Sequence, residues 1–414
     1  MKSRIIVVLL FIGVVALQLS AQQPPAPLTL QRVTQMYLES SLEMQAARHQ
    51  VDRIKADQIA ARLRPNPGIT LAAENLPISG PTPFGRLYEV SATYSETIEL
   101  GDKRELREKA ADQAVTVAEA RFEDSMRRGV ADVKRLYYAA LLARHNLEVA
   151  HENRQILDEL VQFNATRFQE GAIAELDLIK VRLERLKFDT TVRGAELALR
   201  QATIRLVERL GTAAFTGQAV DGVLSFQPVN LEVRSLREFA LNDRADVRAA
   251  TREVEAAAAR LNLERARATT DIIPFAGYKR VGNDNTLLAG VTVPLKLRDH
   301  NQAATARAET DVRAAQTQLQ QVRNRVLAEV ETAFEALRTA QESVEAFQSG
   351  LLQQADEART INLEAYEEGG TDLLPVLDAQ RTRAEVRQQY FKTLFDYRTS
   401  LTELEFAVGR DIQP

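Results

Sequence analysis

Residues 88–100 read Tyr88-Glu89-Val90-Ser91-Ala92-Thr93-Tyr94-Ser95-Glu96-Thr97-Ile98-Glu99-Leu100. Tyr88, Val90, Ala92, Tyr94, Ile98 and Leu100 share one side of a period of two. Glu89, Ser91, Thr93, Ser95, Thr97 and Glu99 share the other, and Glu96 alone breaks the apolar side. Such alternation predicts a strand with one apolar and one polar face. The pattern returns near the middle of the second half, with Leu287, Ala289, Val291, Val293, Leu295 and Leu297 against Thr286, Gly290, Thr292 and Lys296. A shorter partner precedes each run, Ile69–Leu76 and Ile273–Val281. The connections Pro77–Arg86 and Gly282–Asn285 are rich in Pro, Gly, Asn and Ser, as turns require. Two hairpins are therefore expected, at about residues 69–100 and 273–297.

Each hairpin leads into a long stretch without proline. No proline occurs between Pro83 and Pro228, nor between Pro294 and Pro375. Long helices are predicted at about 102–167 and 299–365, interrupted in sequence only by Gly129 and Gly350. At about 1.5 Å per residue each would reach roughly 100 Å. In the second, Val312, Ala315, Leu319, Val322, Val326, Val330, Ala333, Leu337, Ala340, Val344, Phe347 and Leu351 recur at gaps of three and four. Phe122, Met126, Val130, Val133, Tyr137 and Ala140 do the same in the first. This is coiled-coil spacing. Shorter helices are predicted at about 30–63, 174–210, 236–268 and 374–408, so that two end-stacked short helices could run beside each long one.

The halves resemble one another. Phe168-Gln169-Glu170-Gly171 recurs as Tyr366-Glu367-Glu368-Gly369. Leu176, Leu178 and Ile179 match Leu374, Val376 and Leu377, and Leu210-Gly211 matches Val408-Gly409, all at a shift of 198. Constancy of the shift argues for internal duplication. The division expected is a signal peptide at 1–21, a first repeat at 22–222 and a second at 223–414. The signal is read from Lys2 and Arg4, the apolar run Ile5–Leu17 and the small residues Ser20 and Ala21. Export follows from it. The next segment, Gln22–Pro27, reads as an extended tether.

Composition excludes several functions. The chain has 414 residues, 45% of them apolar, so it can build a core. It has no Cys, which removes disulfides, thiolate chemistry and a lipidated N-terminal cysteine. A net charge of -4 gives no reason to expect a nucleic-acid partner. Its four His do not converge: His145 and His151 stand six apart, while His49 and His300 lie elsewhere. No nucleophile elbow, phosphate loop or metal-ligand spacing is present, so no catalytic residue, metal or cofactor is assigned.

Strands of about ten residues with one apolar face suit a membrane barrel, and the bland alternative is a soluble sandwich. Four strands cannot close a barrel, and an open edge in lipid leaves amides without partners. Several chains would then have to share one barrel.

Signal, duplication and the order helix, hairpin, long helix, Gly loop, helix together resemble the TolC-type outer-membrane efflux proteins, over the whole mature chain. The resemblance is carried by Arg64-Pro65-Asn66-Pro67, by Ile98-Glu99-Leu100-Gly101-Asp102-Lys103-Arg104, and by the loops at 168–177 and 366–378. The first two stretches look most like the subgroup serving cobalt–zinc–cadmium exporters. The resemblance implies a mostly α protomer with a membrane β-barrel, assembling as a homotrimer with a 12-stranded β-barrel and a 12-helix α-barrel tunnel. It implies passive efflux across the outer membrane, of heavy-metal cations or drugs. The partners implied are a periplasmic adaptor (a membrane fusion protein), an inner-membrane pump of the RND type, and outer-membrane lipid. An exported structural or adhesive coiled-coil surface protein is the alternative; it would explain the seams but not the hairpins.

Glu170-Gly171-Ala172 and Glu368-Gly369-Gly370 each end a long helix, where Gly suits a C-cap of positive φ. The resemblance makes them the periplasmic tip that docks the adaptor. It also makes Asp177, Tyr366 and Asp378 candidates for closing the aperture, against the plain reading of Asp177 as a solvated helix residue. Thr371 stands where a basic partner is expected and Pro375 where an acidic ring position is, so the closing network is altered or absent. Arg121, Arg127 and Arg128 read as solvated helix faces.

Overall fold

A computed structural model describes residues 27–76, 78–211 and 219–412. The signal peptide expected at 1–21 lies outside the described residues. The first half runs α1 (Leu30–Ser40), α2 (Leu42–Arg62), β1 (Gly68–Glu74), α3 (Phe84–Leu87), β2 (Glu89–Ser95), α4 (Lys103–Gln169) and α5 (Glu175–Arg209). The second runs α6 (Val233–Asp243), α7 (Ala245–Ala266), β3 (Ile273–Val281), β4 (Asp284–Thr292), α8 (Gln302–Ala346), a π-helical turn (Phe347–Leu351), α9 (Leu352–Glu367) and α10 (Leu373–Val408). The 67 residues of α4 form one unbroken helix, roughly 100 Å long.

Several expected boundaries need correction. The helix expected at 299–365 is interrupted by the π turn, where Gly350 leaves helical geometry at φ 142° and ψ -13°. Gly129, the corresponding lone glycine of α4, stays helical. The helix expected at 30–63 breaks at Ser41 (φ -61°, ψ 131°), and that at 236–268 breaks at Arg244 (φ -66°, ψ 130°). Both breaking residues are buried, and each serves as the cap between two helices. Neither break has a proline to announce it. The strands are shorter than expected as well. β2 ends at Ser95, so Glu96, which broke the alternation, lies beyond it. β4 ends at Thr292, two residues before Pro294, whose missing N–H would cost a ladder bond.

The hairpins join into one antiparallel sheet of order β1-β2-β3-β4. Its central pairing sets Ser91 opposite Lys279 and Thr93 opposite Gly277. This register puts Thr70, Ser91, Thr93, Lys279 and Thr286 on one face and Leu71, Val90, Tyr278 and Leu287 on the other. All four helix connections leave from the same end of the sheet. There Lys103 Nζ donates to Asp271 Oδ1 and the Thr269 carbonyl, both at 2.6 Å, and Arg107 grips Glu99 at 2.6 and 3.0 Å. The motif Glu99–Arg104 is therefore a joint between the two halves, turned by Gly101 and Asp102 at φ 74° and 56°.

α4 is the hub, packed against α1, α2, α5, α7 and α10. The seam residues Val322, Val326, Val330, Ala333, Leu337, Ala340 and Val344 of α8 are buried, as are Val133, Tyr137 and Ala140 of α4. Arg127 departs from the solvated reading. Its side chain is 12% exposed, pairs with Asp124 at 2.6 Å and lies over the Phe406 ring, whereas Arg121 and Arg128 face solvent. Close approach also explains Gly129. A Cβ there would stand 1.7 Å from the hydroxyl of Tyr37, a fully buried side chain of α1. Gly129→Ala is expected to cost about 1–3 kcal/mol through overpacking. Thermal unfolding should show it, and Tyr37→Leu in the same chain should recover part of the loss.

Candidate functional site: the helix tips remote from the sheet

The two tips share one capping geometry. At the end of α4 the Ala172 amide donates to the Arg167 carbonyl at 2.8 Å and the Gly171 amide to the Phe168 carbonyl at 3.0 Å. At the end of α9 the Gly370 amide donates to the Ala365 carbonyl at 2.7 Å and the Gly369 amide to the Tyr366 carbonyl at 3.1 Å. These crossed bonds satisfy the last carbonyls of each helix and require a left-handed residue after the cap. Gly171 and Gly369 supply it at φ 74° and 77°. The position after it needs no positive φ, which is why Ala172 can stand where the other half has Gly370. Glu170 and Glu368 are the last residues before these turns and are exposed. α5 and α10 then return, so each half ends in a helical hairpin.

The hairpins are tied to each other just above the turns. Tyr366 is 5% exposed and packs with Leu157, Leu160, Val181, Leu373, Val376 and Leu377. Its hydroxyl donates to Asn164 Oδ1, while Asn164 Nδ2 donates to the Leu160 carbonyl at 2.8 Å. Arg167 donates to the Tyr366 carbonyl at 3.1 Å and lies over both the Phe163 and Tyr366 rings. Burial pushes the Tyr366 phenol up, and the carboxylates of Asp177 and Asp372 push the same way, so it remains a neutral donor. Farther along, Gln380 donates to Asn153 at 2.6 Å between α10 and α4. Arg381 binds both oxygens of Glu184 at 2.8 and 2.6 Å between α10 and α5. Arg381 holds the Glu184 carboxyl below the usual carboxylate range, against the effect of its burial.

A sequence model described as outer membrane efflux protein matches the chain twice, over residues 33–212 and 236–410. The chain belongs to the outer membrane efflux protein family. Among curated relatives it is 25% identical to the cobalt-zinc-cadmium resistance protein CzcC of Cupriavidus metallidurans, over 94% of this chain and 92% of that one. It is 28% identical to the nickel and cobalt resistance protein CnrC of the same organism, over 79% of this chain and 76% of that one. Among solved structures, the Campylobacter jejuni CmeC outer membrane channel superposes with a TM-score of 0.76 at 15% identity, covering 92% of this chain and 85% of that one. The open state of the Neisseria gonorrhoeae MtrE outer membrane channel superposes at 0.71 and 18% identity, covering 93% and 91%. The chain is thus an outer-membrane efflux protein with the mostly helical fold and small sheet of these channels. No described helix is long and apolar enough to cross a membrane.

In this efflux protein the expected tip residues are brought to one end of the helices but fall into two groups. Glu170, Gly171, Ala172, Glu368, Gly369 and Gly370 form the exposed turns. Of the aperture candidates, Tyr366 is buried within the protomer, held by Asn164 and Arg167. Asp177 lies in the first turn of α5 and pairs with Lys180 at 3.0 Å. Asp378 is exposed on α10, on the same helix as Arg381. Sequence reasoning missed Asn153 and Asn164. Their signal was present, because Asn153, Leu157, Leu160 and Asn164 follow the seam spacing, and a polar residue in a seam fixes register. Among the described residues no group of three or more His, Asp or Glu is placed to hold a metal ion. His145 instead stacks on Phe391 at 4.5 Å and meets Glu148 at 2.9 Å.

Proposed function

We propose that the chain is one protomer of a homotrimeric conduit that passively carries substrate across the outer membrane. The observation supporting this is the open sheet. Its apolar face leaves Ile69, Leu71 and Leu287 74%, 76% and 89% exposed in the single chain. β1 and β4 are both unpaired edges, and such edges are not tolerated in lipid. Pairing of β4 with β1 of the next copy removes them, and three copies of four strands make a twelve-stranded barrel. The polar face then lines the lumen. Helices α4, α5, α8–α9 and α10 from three copies form the twelve-helix tunnel, which extends into the periplasm and ends at the Gly171 and Gly369 turns.

The tip docks a periplasmic adaptor, which couples the conduit to an inner-membrane pump of the RND type. Asp177 and Asp378 act at the aperture, and Tyr366 acts there by holding the two hairpins together. Transport energy comes from the pump, and the conduit performs no chemical step. The metal-resistance names of the relatives support heavy-metal cations as cargo. Purified outer-membrane fractions, run unheated and heated on a gel, test the assembly. A species near three times the protomer mass that collapses on heating is expected. A soluble monomer would overturn the conduit and favour an exported coiled-coil surface protein.

A further inference from the structure

The sheet end opposite the helix connections carries an imbalance of charge between its two faces. On the lumen-side face Lys279 pairs with Glu89 and stands 4.0 Å from Glu74, while Asn75 donates to Glu89 at 3.0 Å. The cation on that face is neutralised. The other face is apolar along its length, with Ile69, Leu71, Val90, Leu287 and Val291 exposed. Arg280 is the single charged strand residue on it, in the ladder row opposite Val90 and Asn285. A charge on a lipid-facing strand costs least at the membrane interface, and Arg280 stands in the last row but one at the sheet end remote from the helices.

Three contacts build its surroundings. Arg280 Nε donates to the Gly282 carbonyl at 3.0 Å, which fixes the guanidinium at the β3–β4 turn. The guanidinium carbon lies 6.0 Å from the centre of the Tyr88 ring, and Tyr88 stacks on Phe84 at 5.2 Å. The Gly282 amide donates to the Tyr88 carbonyl at 3.0 Å, and its Cα faces the Arg86 carbonyl so closely that a Cβ would stand 3.3 Å from it. The turn is thereby seated on α3, so the backbone of exposed Arg86 lies against the turn that holds the Arg280 guanidinium. Among the described residues neither arginine has a carboxylate partner. Two arginines without a carboxylate partner therefore stand at the rim of an apolar band, with the Arg280 guanidinium beside the Tyr88 ring.

We propose that Arg86 and Arg280 form a site for the phosphate group of an anionic lipid in the outer leaflet. A guanidinium presents a planar fork of donors that matches phosphate oxygens two at a time, and Tyr88 and Phe84 suit the boundary between headgroup and chain. The site deepens the conduit reading, since it rests on the sheet spanning the membrane with these loops outward.

Purified trimers of the wild type and of Arg86→Gln/Arg280→Gln, tested by native mass spectrometry with diphosphoryl lipid A and with phosphatidylcholine, decide it. Wild type should retain diphosphoryl lipid A about tenfold better than phosphatidylcholine, and the double variant should retain both alike. Arg86→Lys/Arg280→Lys should keep part of the preference, and each single Gln variant should lose part of it if the double variant fails to assemble. Equal retention by wild type and variant trimers would overturn the site. Displacement of the lipid by excess inorganic phosphate alone would make it a free-phosphate site and overturn the lipid assignment. A wild type that never trimerises counts against the conduit; trimers blind to lipid phosphate count against this site alone.

Discussion

Arg244→Met is expected to lower folding stability by about 3–5 kcal/mol, the cost of leaving a buried charge without its partner. Arg244 is 1% exposed and holds both oxygens of Asp246, at 3.0 and 2.7 Å. It also donates to the Ala407 carbonyl at 2.9 Å and pairs with Glu329 at 2.6 Å. One guanidinium thus ties α7, α8 and α10 at the level where α6 stops. Methionine fills similar volume but supplies no donor. Asp246 would keep only Arg127 and Arg325, both at 3.8 Å, with the Val247 amide at 3.0 Å. Gly409 would not relieve the loss, since its backbone at φ 88° already packs on the Arg244 stem.

The same knot gives the effect a pH dependence. Burial raises the Asp246 carboxyl, but the hydrogen bonds and charge of Arg244 outweigh it and hold the group below its ordinary value. A carboxyl lowered on folding stabilises above its unfolded pKa, about 3.9, and the contribution is lost as pH falls through the folded value. The wild-type protein should therefore lose melting temperature on acidification below about pH 4. Arg244→Met should begin lower and change less. Arg244→Met/Asp246→Leu should recover much of the neutral-pH loss, because removing both charges leaves no orphan. Melting curves at neutral and acid pH measure all three. An Arg244→Met protein as stable as wild type would show that the knot is dispensable.

Gly171→Pro combined with Gly369→Pro is expected to abolish efflux while trimers still form. Both residues sit near φ 75°, which proline, locked near -65°, cannot adopt. Proline also removes the amides that donate to Phe168 and Tyr366. A Cβ at either position meets nothing within 4 Å, so the effect is on the turn and not on packing. The turns lie a full helix length from the sheet, where the barrel would be assembled. Gly171→Ala/Gly369→Ala should keep the amides and cost about 1–2 kcal/mol of local strain at each turn, with partial loss of efflux. Metal accumulation in cells, read beside the heat-sensitive trimer band, separates docking from assembly. Unchanged efflux in the proline pair would remove these turns from the docking role.

Much of this was visible in the chain itself, because it depends on neighbours in sequence. The alternation around Val90 and Leu287 reports which face of a strand is apolar, whatever that strand meets. The absence of proline after Pro83 reports that nothing stops α4. The paired Glu-Gly turns report where helices end, since positive φ selects glycine locally. Other features depend on residues far apart in sequence. Arg127 looked like a solvated cation, and only the approach of α10 buries it against Phe406. Tyr366 is an aperture candidate by resemblance, but its burial inside the protomer is decided only by the α4 hairpin, which supplies Asn164 and Arg167.

By itself, then, the sequence determined the element types, the duplicated order and the two faces of the sheet. Each of these follows from local sterics and from periodicity in apolar side chains. Tertiary structure alone decided where helices break without proline, at Ser41 and Arg244, and which polar side chains bind the helices together. The Arg244 break and the polar ties between helices turn on burying a charged or polar group only where a partner far off in sequence can satisfy it. Ala407 and Glu329 stand in that relation to Arg244, and Asn153 to Gln380.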